Sequence, residues 1–312
     1  MKYAFGLDLG GTTCKMGLFE ADGTLIEKWE IPTDTSEAGT HILGNIAEAV
    51  RNKMLEKNIN KNDVVGVGLG VPGPVSSEGV VNKCANLGWG VVPAADELSA
   101  MLSMKVKVGN DANVAALGEA FKGAGQKYSS IVMVTLGTGV GGGVVINQQI
   151  ISGAHGAGGE IGHITVNENE TEKCGCGRRG CVEYYASATG IARLARQALV
   201  ATDAPSSLRD IDINAITAKD VLDAVKAGDA LAKESFEKSC DYLTKALCHI
   251  AEVVDPEAFV IGGGVSKAGD ILVTGLKSKF SSSVFHACAN TDIVIATLGN
   301  DAGMYGAVRM VL

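Results

Sequence analysis

The run Asp8-Leu9-Gly10-Gly11-Thr12-Thr13 sets a carboxylate ahead of a glycine pair and two hydroxyls. Glycines let backbone N–H groups approach a phosphate and tolerate positive φ, hydroxyls add donors, and a carboxylate can hold Mg2+ directly or through water. The same residues also make an ordinary hairpin turn. A second run, Leu136-Gly137-Thr138-Gly139-Val140-Gly141-Gly142-Gly143, repeats the pattern, and two such turns converging can clamp a nucleotide's phosphates. Neither is a P-loop, because no Gly-Lys-Ser/Thr closes it, and no strand-to-helix setting supports a dinucleotide fold.

Gly109-Asn110-Asp111-Ala112-Asn113 lies where a strand pattern gives way to a helix pattern. One Asn or Asp there is explained as a helix N-cap, worth about 0.5–2 kcal/mol; three polar residues in that position are not. The other reading of Asp111 is a general base that accepts the proton of a hydroxyl attacking a phosphorus. A third group joins His163 to Cys174-Gly175-Cys176-Gly177-Arg178-Arg179-Gly180-Cys181. One imidazole and three thiolates complete a tetrahedral Zn2+ shell, which makes the metal structural because no position stays open. The alternative is a reduced cysteine-rich turn beside an unrelated histidine. Glu160 and Glu183 flank this segment, either as solvated charges or as acceptors for sugar hydroxyls.

An α/β chain must position these groups. Strand patterns cover Tyr3–Leu9 and Cys14–Glu20, with Gly10-Gly11 as the turn between them. Apolar residues at helical spacing predict a helix over 36–57, followed by a strand at Val64–Leu69 and the loop Val71-Pro72-Gly73-Pro74. A helix over 94–103, a strand over 105–108 and a helix from about Ala112 come next. Laying 7–12 over 134–139 gives a weak internal repeat of strand, glycine turn and strand, so the chain reads as two related halves facing each other across a cleft. The domain boundary falls near Asp111–Gly125. Further on, Thr217-Ala218-Lys219-Asp220 opens a helix, a long helix spans 230–254, and the strand Ala258–Ile261 runs into Gly262-Gly263-Gly264. The segment 301–312 closes the chain as a helix.

At 312 residues the chain is long enough for two domains and a cleft. Lys and Arg number 27 against 35 Asp and Glu, so the net charge of −8 offers no global field for nucleic acid or an anionic membrane. Small-molecule partners are expected instead. No secretory signal is visible, and the uncharged stretch 128–159 is broken by glycines and amides into strands, which predicts a cytoplasmic protein with no membrane span.

Together, Asp8-Leu9-Gly10-Gly11-Thr12, Asn110-Asp111-Ala112-Asn113, Leu136-Gly137-Thr138-Gly139, Glu160-Ile161-Gly162-His163 and the Cys174 to Cys181 pattern resemble the ROK family of repressors, open reading frames and kinases. The resemblance covers essentially the whole chain and is closest to that family's bacterial ATP-dependent glucokinases. It implies an actin-like ATPase (ribonuclease H-like) fold of two α/β domains around a hinged cleft. The small domain would be 1–112, with the helix 301–312 packing back on it, and the large domain 113–300, with a zinc loop at 163–181. The implied activity is ATP-dependent phosphorylation of the 6-hydroxyl of D-glucose, with Asp111 as base and Asp8 helping to hold Mg2+. Gly10, Gly11, Thr12 and Thr13 would line the phosphates with Gly137, Thr138 and Gly139, while Gly262, Gly263 and Gly264 approach the nucleotide. The hexose would meet Asn110, Glu160, His163 and Glu183, with Gly73 nearby, His163 placing one nitrogen on zinc and the other on the sugar. Relatives of this kind are commonly homodimers. The alternatives are a kinase for fructose, mannose, allose, N-acetylmannosamine or N-acetylglucosamine, or a sugar sensor or repressor; the latter needs a DNA-binding region, and no basic helix-turn-helix precedes Tyr3.

Overall fold

The computed structural model describes residues 2–312. Along the chain come β1 (Tyr3–Leu9), β2 (Thr13–Glu20), β3 (Leu25–Pro32), α1 (Ile42–Glu56), β4 (Val64–Val71), α2 (Ala94–Leu102), β5 (Val106–Asn110) and α3 (Asp111–Lys122). Then follow β6 (Ile131–Leu136), β7 (Val140–Ile146), β8 (Gln149–Ile150), α4 (Glu183–Ala186), α5 (Ala188–Ala201), α6 (Ala218–Lys226) and α7 (Ala230–Val254). The chain ends with β9 (Ala258–Gly262), α8 (Asp270–Ser283), β10 (Asp292–Ile295) and α9 (Ala302–Arg309).

One compact unit runs to Ser130 and includes Gly143–Gly159 and Thr297–Leu312. Its sheet has the order β3-β2-β1-β4-β5; β2 is antiparallel to β1 and β3, and β4 and β5 run parallel to β1. Side chains alternate across a strand, so β1 presents two different faces. Phe5, Leu7 and Leu9 join Ile42, Ile46 and Val50 of α1 and Leu98 of α2 in one core. Burying each such side chain contributes about 1.5–3 kcal/mol. Ala4, Gly6 and Asp8 point the other way, where Ala4 packs with Met304 and Val308 of α9. This face is built for a close helix: a Cβ on Gly6 would stand 2.2 Å from the Met304 carbonyl oxygen, and one on Gly68 of β4 1.7 Å from that of Ala307. α9 also crosses α3 at backbone contact, since a Cβ on Gly118 would lie 2.1 Å from the Ala302 oxygen.

The other unit comprises Ile131–Gly142 and Glu160–Ala296. Its strands β9 and β10 run parallel to β6, and β7 follows β6 after only Gly137-Thr138-Gly139. The sheet order through these strands is β10-β9-β6-β7-β8, the mirror of the first list read outward from its central strand. That shared order is the weak internal repeat in three dimensions. Side-chain caps fix the starts of α3, α5, α6 and α7. Thr217 and Asp220 form a reciprocal capping box at α6, the Asp229 side chain accepts from the Ala232 amide at the start of α7, and Asp255 stops α7 in the left-handed region before Pro256.

Three details differ from the sequence expectation. The helix predicted from residue 36 begins at Ile42, because Glu37, Ala38 and Gly39 take positive φ of 48°, 57° and 70° and cannot continue an α-helix. The first unit does not stop at residue 112: α3 stays with it through the glycine contacts to α9, and 143–159 joins it as well. Gly10, Gly11, Gly137 and Gly139 do not take positive φ, and among them a close approach is seen at Gly139, where a Cβ would stand 2.2 Å from Glu183 Oε2, and at Gly10, 3.1 Å from the Thr13 oxygen. Among the described residues no helix is long and apolar enough to cross a membrane, and the uncharged stretch 128–159 supplies β6, β7 and β8.

Candidate functional site

In the first unit Asp8 is the last residue of β1 paired with β4, and the parallel strand β5 ends at Asn110 on the other side of β4. Asn110 caps α3 through its Oδ1, which accepts from the Asn113 amide at 3.1 Å. Its Nδ2 donates to the Gly73 carbonyl and to Asp111 Oδ1, each at 3.1 Å. Asp111 Oδ1 also accepts the Ala112 amide at 2.8 Å. The aspartate is therefore the first residue of α3 with one oxygen held by two donors. Gly73 is left-handed at φ 96°, and a Cβ there would come 2.7 Å from the Lys83 carbonyl oxygen. Nearby, Gly10 donates to the Thr13 carbonyl at 2.9 Å and Thr33 Oγ1 donates to the Gly10 carbonyl at 2.8 Å, fixing a turn that leaves Gly11 and Thr12 exposed. Burial pushes the Asp8 carboxyl above the usual carboxylate range; Lys15 opposes this, and the Asp111 charge adds to it. A cation at that carboxylate would relieve both effects, so Asp8 suits a divalent metal.

In the second unit the turn Gly137-Thr138-Gly139 is held from below. The Ala188 amide donates to the Gly137 carbonyl at 2.8 Å, Thr189 Oγ1 to that of Thr138 at 2.9 Å, and the Val140 amide to Glu183 Oε2 at 3.0 Å. A Cβ on Gly139 would lie 2.2 Å from that same oxygen. Thr138 is exposed beside a cleft of about 740 Å3, lined also by Tyr184, Thr189, Arg193 and Arg196. Gly262 ends β9 buried, while Gly263 and Gly264 are exposed; Gly263 is left-handed at φ 83° and rests against the Leu136 backbone.

His163, Cys174, Cys176 and Cys181 bring one ligand atom each within 4.8 Å of one another. All the cysteines are free thiols, and Cys176 Sγ lies 3.7 Å from Cys181 Sγ, close to the edge of about 3.8 Å for a tetrahedron of 2.3 Å Zn–S bonds. His163 Nδ1 is buried without a partner, and its Nε2 faces Glu160 Oε2 at 4.0 Å. An orphaned ring nitrogen beside three sulfurs fits Zn2+. Glu183 Oε1 accepts from Cys174 Sγ at 3.5 Å, so one carboxylate touches both the thiol cluster and the glycine turn. Sequence reasoning missed Thr189, Arg193 and Arg196, whose helical spacing reads as a plain α5 surface. It also missed Gly303, where a Cβ would stand 2.5 Å from Asp8 Cγ, and the fully buried Glu119, which accepts from the Ala124, Thr297 and Leu298 amides.

Two sheets of the same order, each with a glycine turn after its central strand, define a member of the actin-like ATPase class of α/β proteins. The chain belongs to the ROK family, whose family model matches residues 4–312. It is 42% identical over 308 residues to a glucokinase of Halalkalibacterium halodurans, covering 98% of this chain and 93% of that one. A glucokinase of Thermotoga maritima is 36% identical, with 98% and 96% covered. Among solved structures, a ROK family glucokinase from Streptomyces griseus in complex with glucose and AMPPNP is similar at a TM-score of 0.75 and 32% identity, over 99% of this chain and 98% of that chain.

Proposed function

We propose that this chain is an ATP-dependent hexose kinase that phosphorylates the 6-hydroxyl of D-glucose. The observation that carries the reading is Asp111, a carboxylate at a helix start with one oxygen fixed by Asn110 and the Ala112 amide. A base held in one direction can take the 6-hydroxyl proton as that oxygen attacks the γ-phosphorus in line. Asn110, itself aimed by the Gly73 carbonyl, helps to orient the sugar. Gly10, Gly11, Thr12 and Thr13, and on the other unit Gly137, Thr138, Gly139 and Gly262 to Gly264, bind the nucleotide, with the cleft beside Thr138 as room for it. Glu160, His163 and Glu183 accept or donate to hexose hydroxyls, and a wrong epimer costs about 1–3 kcal/mol for each buried acceptor left unpaired. Relatives named glucokinase support glucose as the substrate.

Asp8 would hold Mg2+, which when bound neutralises charge on the transferring phosphates. His163 Nδ1 and the three cysteines would hold Zn2+ as a structural ion that fixes the loop between Glu160 and Glu183. Thiolate ligands need a reducing compartment, which supports a cytoplasmic location. We also propose a homodimer, to be checked by light scattering in solution.

The test is ADP release from MgATP with D-glucose, beside fructose, mannose, N-acetylmannosamine and N-acetylglucosamine. Glucose is expected to give the highest kcat/KM, and Asp111→Asn to lower kcat by about 10^2–10^4 with glucose binding retained. Preference for another sugar would move the substrate. Silence with every sugar, while glucose still binds, would make the protein a sugar sensor.

A further inference from the structure

The cysteines divide sharply by exposure. Among the described residues Cys176 alone has an exposed thiol, and the other seven cysteines are buried. Reaction of a thiol with a solute needs access to the sulfur, so Cys176 differs in chemistry from the packed ones. It also has a second sulfur within reach: its Sγ lies 3.7 Å from that of the fully buried Cys181. The third thiol of the cluster is committed elsewhere, since Cys174 is buried and its Sγ donates to Glu183 Oε1 at 3.5 Å.

A disulfide S–S bond is about 2.05 Å long, so the Cys176 and Cys181 sulfurs must approach by roughly 1.7 Å to form one. The loop allows this at Cys176. Its base is pinned, because the Cys174 amide donates to the Arg178 carbonyl and the Gly177 amide to the Cys174 carbonyl, each at 2.8 Å. Its tip is clear, because a Cβ on Gly175 or on Gly177 would meet nothing within 4 Å. Cys181 is fixed from its other side by a β-bridge to Thr165, which leaves Cys176 as the partner that moves.

We infer that Cys176 is a site of oxidation by hydroperoxides, with Cys181 as its resolving thiol. The Cys176 thiolate attacks one oxygen of the peroxide, the O–O bond breaks, and hydroxide or alkoxide leaves behind a sulfenic acid. The Cys181 sulfur then attacks the sulfenyl sulfur, its proton departs with the hydroxyl as water, and the S–S bond forms. Two electrons pass from the sulfur pair to the peroxide, so no further reactant is needed. Cys181 requires no opening to solvent, because it attacks the atom it already faces. The disulfide removes two of the four groups proposed to hold zinc, so oxidation must also release that ion. Only this release rests on the proposed zinc site; the thiol pair rests on exposure and distance.

The experiment adds hydrogen peroxide in equimolar steps to the full-length protein in buffer free of reductant. It reads intact mass, the identity of linked peptides, and zinc captured by a chromogenic chelator. The parent is expected to lose two hydrogens per chain, to link Cys176 to Cys181, to release zinc in step, and to regain both thiols with a dithiol reductant. Cys176→Ala is expected to lose hydrogens at least tenfold more slowly. Peptide mapping of the parent decides the pairing even where that variant folds poorly. Three results would overturn the proposal: a disulfide between other cysteines forming first, Cys176 staying reduced or passing to sulfinic acid with no disulfide, or Cys176→Ala oxidising as fast as the parent. Because the readout is mass, an inactive enzyme, or one isolated without zinc, that still links Cys176 to Cys181 would refute the kinase or the zinc reading and leave the thiol pair standing.

Discussion

The Asp8 carboxylate lies against the Cα of Gly303, where a Cβ would come 2.5 Å from the carboxyl carbon and 2.7 Å from Oδ2. Glycine inside a helix ordinarily costs about 1 kcal/mol relative to alanine, so Gly303→Ala in α9 would stabilise an unconstrained helix. Here the sign should reverse. We expect a loss of about 1–3 kcal/mol in urea denaturation and at least a tenfold fall in kcat with MgATP, because the displaced carboxylate is the proposed metal holder. A more stable variant of normal activity would show that Asp8 has room to spare.

Glu170 accepts from Tyr185 Oη at 2.6 Å and from Arg193 at 2.9 Å, tying the segment ahead of the cysteines to α4 and α5. Burial pushes its carboxyl up, but the bonds from Tyr185, the Glu172 amide and Arg193 outweigh it and hold the group at about 2, against an ordinary 4.5. With the native value depressed, the stabilisation is present above pH 4.5 and is lost as pH falls toward 2. It amounts to roughly 2–3 kcal/mol at neutral pH. Glu170→Gln should lower the Tm at pH 7 and flatten the stability profile between pH 4.5 and 2; a profile identical to the parent would place the network outside the folding energetics.

Removal of zinc should be legible without any assay of turnover. In the bare cluster burial pushes the Cys174 thiol up and Cys181 up to about 12, whereas hydrogen bonding by the Arg178 amide lowers Cys176. Binding of a divalent cation must therefore displace protons from at least the two buried thiols. Purified protein is expected to carry one zinc per chain, to release protons on reloading after chelation, and to melt lower when stripped. Cys181→Ser should lose the metal; well under one zinc per chain in the parent would refute the site.

Much of this chemistry was readable because it is local. Asn110 and Asp111 adjoin at a strand end, Cys174 to Cys181 lie within one loop, and the Thr217 capping box spans one turn. What was hidden depends on residues distant in sequence. Gly303 matters only because alternation on β1 turns Asp8 toward α9, and Gly118 only because α9 crosses it. Glu119 reads as a surface acid on α3, yet it is fully buried and holds the amides of Thr297 and Leu298 that lead into α9. The start of α1 departs from the apolar periodicity for a local reason: Glu37 and Ala38 adopt positive φ, which their residue types do not announce.

Glu183 shows the same limit at the site itself: its place beside the cysteines leaves it open between a solvated charge and a sugar acceptor, and the family resemblance implies the sugar contact, while its carboxylate accepts the Val140 amide and abuts Gly139. A carboxylate that fixes the glycine turn should govern nucleotide as well as sugar. Glu183→Ala frees the Val140 amide and leaves Gly139 unsupported, so we expect the KM for ATP to rise at least fivefold together with the KM for glucose. Gly139→Ala should raise the KM for ATP too, because its Cβ would displace the Glu183 oxygen. Steady-state kinetics with each substrate varied in turn decides the matter: a Glu183→Ala enzyme with an unchanged KM for ATP would mean that the turn keeps its shape without the carboxylate, and that Glu183 serves the sugar alone.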